Sequence, residues 1–124
     1  MNFLGTPQFS PISAHYSAPQ SPRDDLESLC YTFIYLYTGQ LPWKGHPFQS
    51  ETDRYKNIGA IKQELTKDFK TIHFVLSQGL VNAGISYTLW FARHHGEQLR
   101  TLDYQSLIDK IDNPDHPDIK NLYK

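Results

Sequence analysis

The 124-residue chain is short of several things, and each shortage excludes a class of answer. It has a single cysteine, Cys30, so no internal disulfide can form, which fits a reducing compartment. That thiol lies among Leu29, Tyr31 and Phe33, where a small buried side chain is the simplest reading. There is no surplus of positive charge. Twelve Lys plus Arg stand against thirteen Asp plus Glu, a formal net charge of -1, which leaves no basic stripe for nucleic acid and no polybasic patch for a membrane surface. No apolar run reaches the roughly 18 to 20 residues that a membrane span needs. The opening MNFLGTPQFSPIS lacks both a basic start and a long apolar stretch, so it does not read as a secretory signal. The expectation is a cytosolic or nuclear protein with no nucleic acid and no membrane among its partners.

Aromatics, by contrast, are plentiful. Eight Tyr, seven Phe and two Trp make up 14% of the chain, in a composition that is 39% hydrophobic and 20% charged and therefore globular. Such bodies favour burial, so an aromatic face left open would point to a partner. The length suits about one small domain or a piece of one.

Residues 1–20 hold Pro7, Pro11, Pro19 and Gly5 and read as an irregular loop. Ser21 followed by Pro22 is a helix start, and Asp24, Asp25 and Glu27 suit the positive end of its dipole. Gly39 is a left-handed cap and Pro42 prevents resumption, giving a helix over about 22–37. Its apolar residues, Leu26, Leu29, Cys30, Tyr31, Phe33, Ile34, Tyr35, Leu36 and Tyr37, go round the axis, as in a helix buried on most sides. Residues 51–69 form an amphipathic helix on Tyr55, Ile58, Ile61, Leu65 and Phe69, slightly weakened by Gly59, and 72–76 continue as a short apolar segment read as helix, although its pattern alone also fits a strand. Residues 83–95 are a further helix closed by Gly96. A last one, 103–111, takes Asp103 as N-cap and buries Tyr104, Leu107, Ile108 and Ile111. The tail from 112 is expected to be mobile or docked through Leu122 and Tyr123.

Three strings go further than periodicity. GTPQFSPISAH at 5–15, SPRDDLESL at 21–29 and GQLPWKG at 39–45 come in the order and spacing of the second half of the larger protein-kinase lobe. The chain resembles, in particular, the casein kinase I group with its vaccinia-related and tau-tubulin branches, and RYKNIGAIK at 54–62 and LDYQSL at 102–107 are similar to that group's later helices. The resemblance implies an all-α fold: a partial large lobe with a central buried helix at about 22–37, three to four helices around it and an irregular amino-terminal loop. Residues 1–20 then correspond to an activation segment and docking loop, 21–111 to the helical subdomain, and 112–124 to a polar tail.

Carried over by resemblance, Thr6 closes the activation segment, and Pro11, Ile12 and Ser13 stand where casein kinase I has a Ser-Ile-Asn-type docking string. Gln8 occupies the place of an arginine that grips a phosphate already on the substrate, and Lys62 keeps one of the lysine places. A neutral amide at Gln8 loses the bidentate charged fork, so phosphate recognition is expected to be weakened. Asp25 matches the residue that holds the catalytic-loop backbone, Cys30 falls where many kinases have glycine, Trp43 packs below the helix, and Arg93 matches a late arginine whose usual glutamate partner this group lacks.

Phosphoryl transfer in kinases uses a glycine-rich loop, a strand lysine paired with a helix glutamate, a catalytic Asp, and an Asn with a second Asp for magnesium. None of these strings occurs in the 124 residues. The expectation is no catalytic, cofactor-binding or metal residue in this chain, with ATP and magnesium entering only if an amino-terminal half is supplied. His94 and His95 are neighbours and point apart, and the other histidines are scattered, so no metal site is expected. A non-catalytic module, a scaffold or pseudokinase remnant, is the first reading, and a piece of an active serine/threonine kinase is the alternative. An unrelated helical adaptor is a third. Too few residues are present to enclose the 22–37 helix, so its exposed apolar faces are expected to meet a protein partner or a second copy.

Overall fold

A computed structural model describes residues 8–16, 18–43, 51–79 and 81–122. It contains seven helices among the described residues and no strand: α1 (Ile12–His15), α2 (Pro22–Thr38), α3 (Glu51–Leu65), α4 (Phe69–Ser77), α5 (Ala83–His95), α6 (Thr101–Asp112) and α7 (Pro117–Lys120). The all-α architecture expected of the sequence is the one observed.

Local chemistry sets most of the ends. The Ser21 N–H donates to the Asp24 carboxylate at 2.7 Å, and Pro22 at the first helical position starts α2 without wasting a donor. Gly39 ends it in the left-handed region, φ 78°, with its N–H on the Tyr35 carbonyl at 2.7 Å. Asn82 starts α5 by accepting the Gly84 N–H at 2.6 Å, and its own amide donates to the Ile111 carbonyl at 3.0 Å, so one side chain both caps α5 and ties it to the end of α6.

The helix expected over 51–69 is two helices. The Asp68 side chain accepts the Thr71 N–H at 2.7 Å and opens α4, while the Thr66 hydroxyl turns back onto the Lys62 carbonyl at 2.7 Å. The apolar spacing from Leu65 to Phe69 runs straight through this break. The last long helix also departs from expectation, because it begins at Thr101 and Asp103 serves as the third residue of a capping pair, accepting the Arg100 N–H at 2.8 Å. Leu107 and Lys110 are its buried residues, whereas Tyr104 and Ile108 face outward. The tail docks through Ile119, which is fully buried on α7, and Tyr123 lies outside the described residues.

α5 touches α2, α4, α6 and α7 and separates two apolar clusters. The larger holds Cys30, Tyr31, Ile34, Leu41, Trp43, Ile58, Ile72, Ile85 and Leu89. The smaller gathers Leu26, Ala92 and Leu107 with Tyr87, Phe91 and Leu99. α2 therefore buries one side, Leu26, Glu27, Cys30, Tyr31 and Ile34, and leaves Leu29, Tyr35, Leu36 and Tyr37 open on the rest of its circumference.

Candidate functional site

Of the expected docking residues, Gln8, Pro11, Ile12, Ser13 and Lys62 lie where the entry segment 8–16 meets α2 and α3. Their centre is a carboxylate. Glu27 is buried on α2 at the same spacing as Cys30, Tyr31 and Ile34, so its side chain points into the core. Its Oε2 accepts the backbone N–H of Ile12 at 3.0 Å and the phenol of Tyr31, one turn on. Its Oε1 lies 3.7 Å from a guanidinium nitrogen of Arg93 on α5. Burial raises the Glu27 carboxyl above the usual carboxylate range, and the Tyr31 hydroxyl, the Arg93 charge, the Ile12 N–H and the Lys62 charge oppose that rise.

Arg93 has further partners on the far side: its Nε donates to the Thr66 hydroxyl at 3.3 Å. The adjacent His94 ring meets the Thr66 carbonyl at 2.8 Å. A partner for the late arginine is thus present, but it comes from α2 and not from the docking string. The same Glu27 that supplies it holds the first amide of α1.

Lys62 on α3 forms the second half of the junction. Its side chain is enclosed, with Nζ donating to the Ser10 carbonyl at 2.6 Å and lying 2.9 Å from His15 Nε2. The ammonium also sits 4.9 Å above the Tyr31 ring and 5.0 Å above the Trp43 ring, both suited to a cation on their faces. Burial pulls Lys62 down to about 7, with Glu27 pushing the other way. Its charge is used inward, so the lysine that the resemblance assigns to substrate phosphate presents no ammonium at the surface here. Gly59, one turn earlier, lets α1 approach, since a Cβ there would stand 3.0 Å from His15 Cβ.

The remaining expected residues are placed as follows. Trp43 is buried, stacks edge-on to Tyr31 at 4.9 Å and donates from its indole to the Gln8 carbonyl at 2.9 Å, which fixes the start of the entry segment. Gln8 is therefore held by its backbone. Pro11 and Ile12 are buried, and the Ser13 hydroxyl is buried without a hydrogen-bond partner among the described residues. Asp25 stands apart from this junction, on the open side of α2, in a shallow hollow with Pro22, Leu26, Leu29 and Tyr104. Thr6 lies outside the described residues.

Sequence reasoning misses Glu27, His15 and Ser10. Glu27 has a local signal, because an acid at the spacing of an otherwise apolar stripe has to find partners inside. Ser10 offers its backbone carbonyl to Lys62, which no side-chain pattern reveals.

The loop-to-helix junction and the string order can be set against known proteins. No family model matches the chain. Casein kinase I homolog 3 of Schizosaccharomyces pombe is 34% identical over 109 residues, covering 86% of this chain and 23% of that protein. The chain is homologous to a stretch of casein kinase I. Casein kinase I homolog 3 of Saccharomyces cerevisiae is 42% identical over 64 residues, 52% of this chain and 12% of its own length. Casein kinase I homolog 1 of Schizosaccharomyces pombe is 40% identical over 62 residues, 50% and 14% respectively. The chain thus spans between about an eighth and a quarter of these casein kinase I relatives.

Among the described residues no three His, Cys, Asp or Glu side chains gather at metal-holding distance. The cations of the junction, Lys62 and Arg93, are committed to Ser10, His15, Thr66 and Glu27. No helix among the described residues is long and apolar enough to cross a membrane.

Proposed function

We propose that these residues are a kinase-derived module that transfers no phosphate by itself and acts through protein contact, in the cytoplasm or nucleus. The observation that carries the reading is the open side of α2. Leu29 and Leu36, seven residues apart and so on one face, are 46% and 70% exposed, and Tyr37 beside them is 52% exposed. The other side of the same helix carries Tyr31 and Ile34 at the heart of the core. An apolar helix face left open to water marks a surface that a partner can cover. Tyr104 and Ile108 on α6 extend the apolar surface, and the hollow around Leu29 and Tyr104 joins the two helices.

A second reading has its own support. The entry segment is held at Ile12 by Glu27 and at Ser10 by Lys62, and an ordered segment at this place supports a piece of an active serine/threonine kinase. ATP and magnesium would then be bound by segments other than the described ones.

Light scattering with a thermal melt separates contact from its absence. The wild-type chain is expected to self-associate with rising concentration, and the double variant Leu29→Glu, Leu36→Glu to shift to monomer with its melting midpoint retained. A wild-type monomer with a sharp transition, unaltered by the double substitution, would overturn the proposal.

A further inference from the structure

We propose that the hollow between the ends of α2 and α4 is a binding site for a small organic amine, an apolar body that carries a protonated nitrogen. Nothing in this depends on what covers Leu29 and Leu36 or on whether the chain transfers phosphate. The hollow has a volume of about 360 Å³, within the range of roughly 300–1,000 Å³ that small-molecule sites occupy. Ile34, Leu41 and Leu76 are buried and form its floor, Val75 lies half-buried beside them, and the exposed Gln40 and Gln78 stand at its mouth. That floor selects the body of the ligand, since it rewards an apolar group and gives a charged one no partner.

The sign of the head follows from the backbone. α2 and α4 stop at the hollow, at Thr38 and Ser77, and their ends meet there, because a Cβ on Gly79 would stand 2.5 Å from Thr38 Cγ2. Each end carries the negative pole of its helix. Neither helix has a basic residue in its last turn, and no Lys, Arg or His lines the hollow, so the two poles meet no positive side chain there.

A count of hydrogens points the same way. Thr38 Oγ1 lies 2.8 Å from the Ile34 carbonyl oxygen and 2.6 Å from that of Gln40, and a hydroxyl has one hydrogen to give. The two carbonyls compete for it, and an N–H donor from a ligand would relieve the competition. The side-chain amides of Gln40 and Gln78 can each turn an oxygen toward the same donor. An ammonium at the mouth meets these acceptors while its body rests on Ile34, Leu41 and Leu76. A carboxylate in that place faces the same poles and the same lone pairs.

Amide NMR titration of the full chain tests this with tryptamine and indole-3-propionate, which share a ring and an arm length and differ in the sign of the head. Tryptamine is expected to shift the amides of Thr38, Gln40, Leu76 and Gly79 along a saturable curve, and to bind at least about three-fold tighter than the acid, the combined effect of two helix ends. Added salt should narrow that preference. Val75→Trp, which fills the hollow, should abolish the shifts. No saturable shift with tryptamine, equal or tighter binding of the acid, or shifts that persist in folded Val75→Trp would overturn the site. If Val75→Trp fails to fold, the two affinities measured on the wild type decide by themselves.

Discussion

Glu27 and Lys62 carry opposite charges inside the same junction, and each is held by what the other elements offer it. Removing Glu27 strands the Ile12 N–H, the Tyr31 hydroxyl and Arg93 together. Glu27→Ala is expected to cost about 3 kcal/mol or more by urea denaturation. Arg93→Ala should cost less, about 1–2 kcal/mol, since the Glu27 carboxyl is already inclined to take a proton when its partner leaves. A reversed ranking would mean that the carboxylate does not organise the junction. Lys62 makes a pH prediction with a definite sign. Its folded value of about 7 lies below that of an unfolded lysine, so its burial penalty is complete below pH 7 and is relieved as the pH rises. Stability should therefore climb by about 2 kcal/mol between pH 7.5 and 9 at roughly 1.4 kcal/mol per unit, and Lys62→Met should flatten that climb. Cys30, held protonated by burial, acts in the opposite sense from about pH 8.5, where an unfolded thiol ionises, and Tyr31 does so from about pH 10, so the Lys62 contribution is read as the difference between wild type and Lys62→Met. A slope unchanged in Lys62→Met would contradict the assignment.

At the scale of elements, the α5–α6 contact depends on backbone approach. A Cβ on Gly84 would come within 2.5 Å of Ile111 Cα, and neither backbone is free to move aside. Gly84→Ala should therefore destabilise by about 1–3 kcal/mol in spite of alanine's better helix propensity, measured by thermal or urea unfolding. A neutral or stabilising result would show the two helices to be further apart. The elements also show what a sequence makes legible. α2 and α5 are readable because their punctuation is local: Ser21 and Pro22 before, Gly39 and Gly96 after. The break at 66–68 is hidden because Leu65 and Phe69 preserve the four-residue spacing across it, and only the Asp68 cap marks it. Tyr104 and Ile108 sit one turn apart beside Leu107, and periodicity cannot say which of two adjoining apolar stripes the rest of the fold will cover. The Glu27–Arg93 pair is beyond local reasoning altogether, since 66 residues separate its members along the chain.

Taken as a whole, the described residues form a helical unit whose longest helix, α2, is covered along one side. The core side of α2 should be sensitive and its open side tolerant. Ile34→Ala is expected to cost about 2–5 kcal/mol, whereas Leu36→Glu should alter stability by no more than about 0.5 kcal/mol. The casein kinase I relationship accounts for the order of the strings along the entry segment and α2, and the proposed role rests on the open face of α2, which requires no phosphate chemistry. Titration calorimetry of magnesium-ATP into the purified 124-residue chain tests that separation most directly. The account predicts no saturable heat at any concentration of nucleotide, and a saturating isotherm of one nucleotide per chain would contradict it.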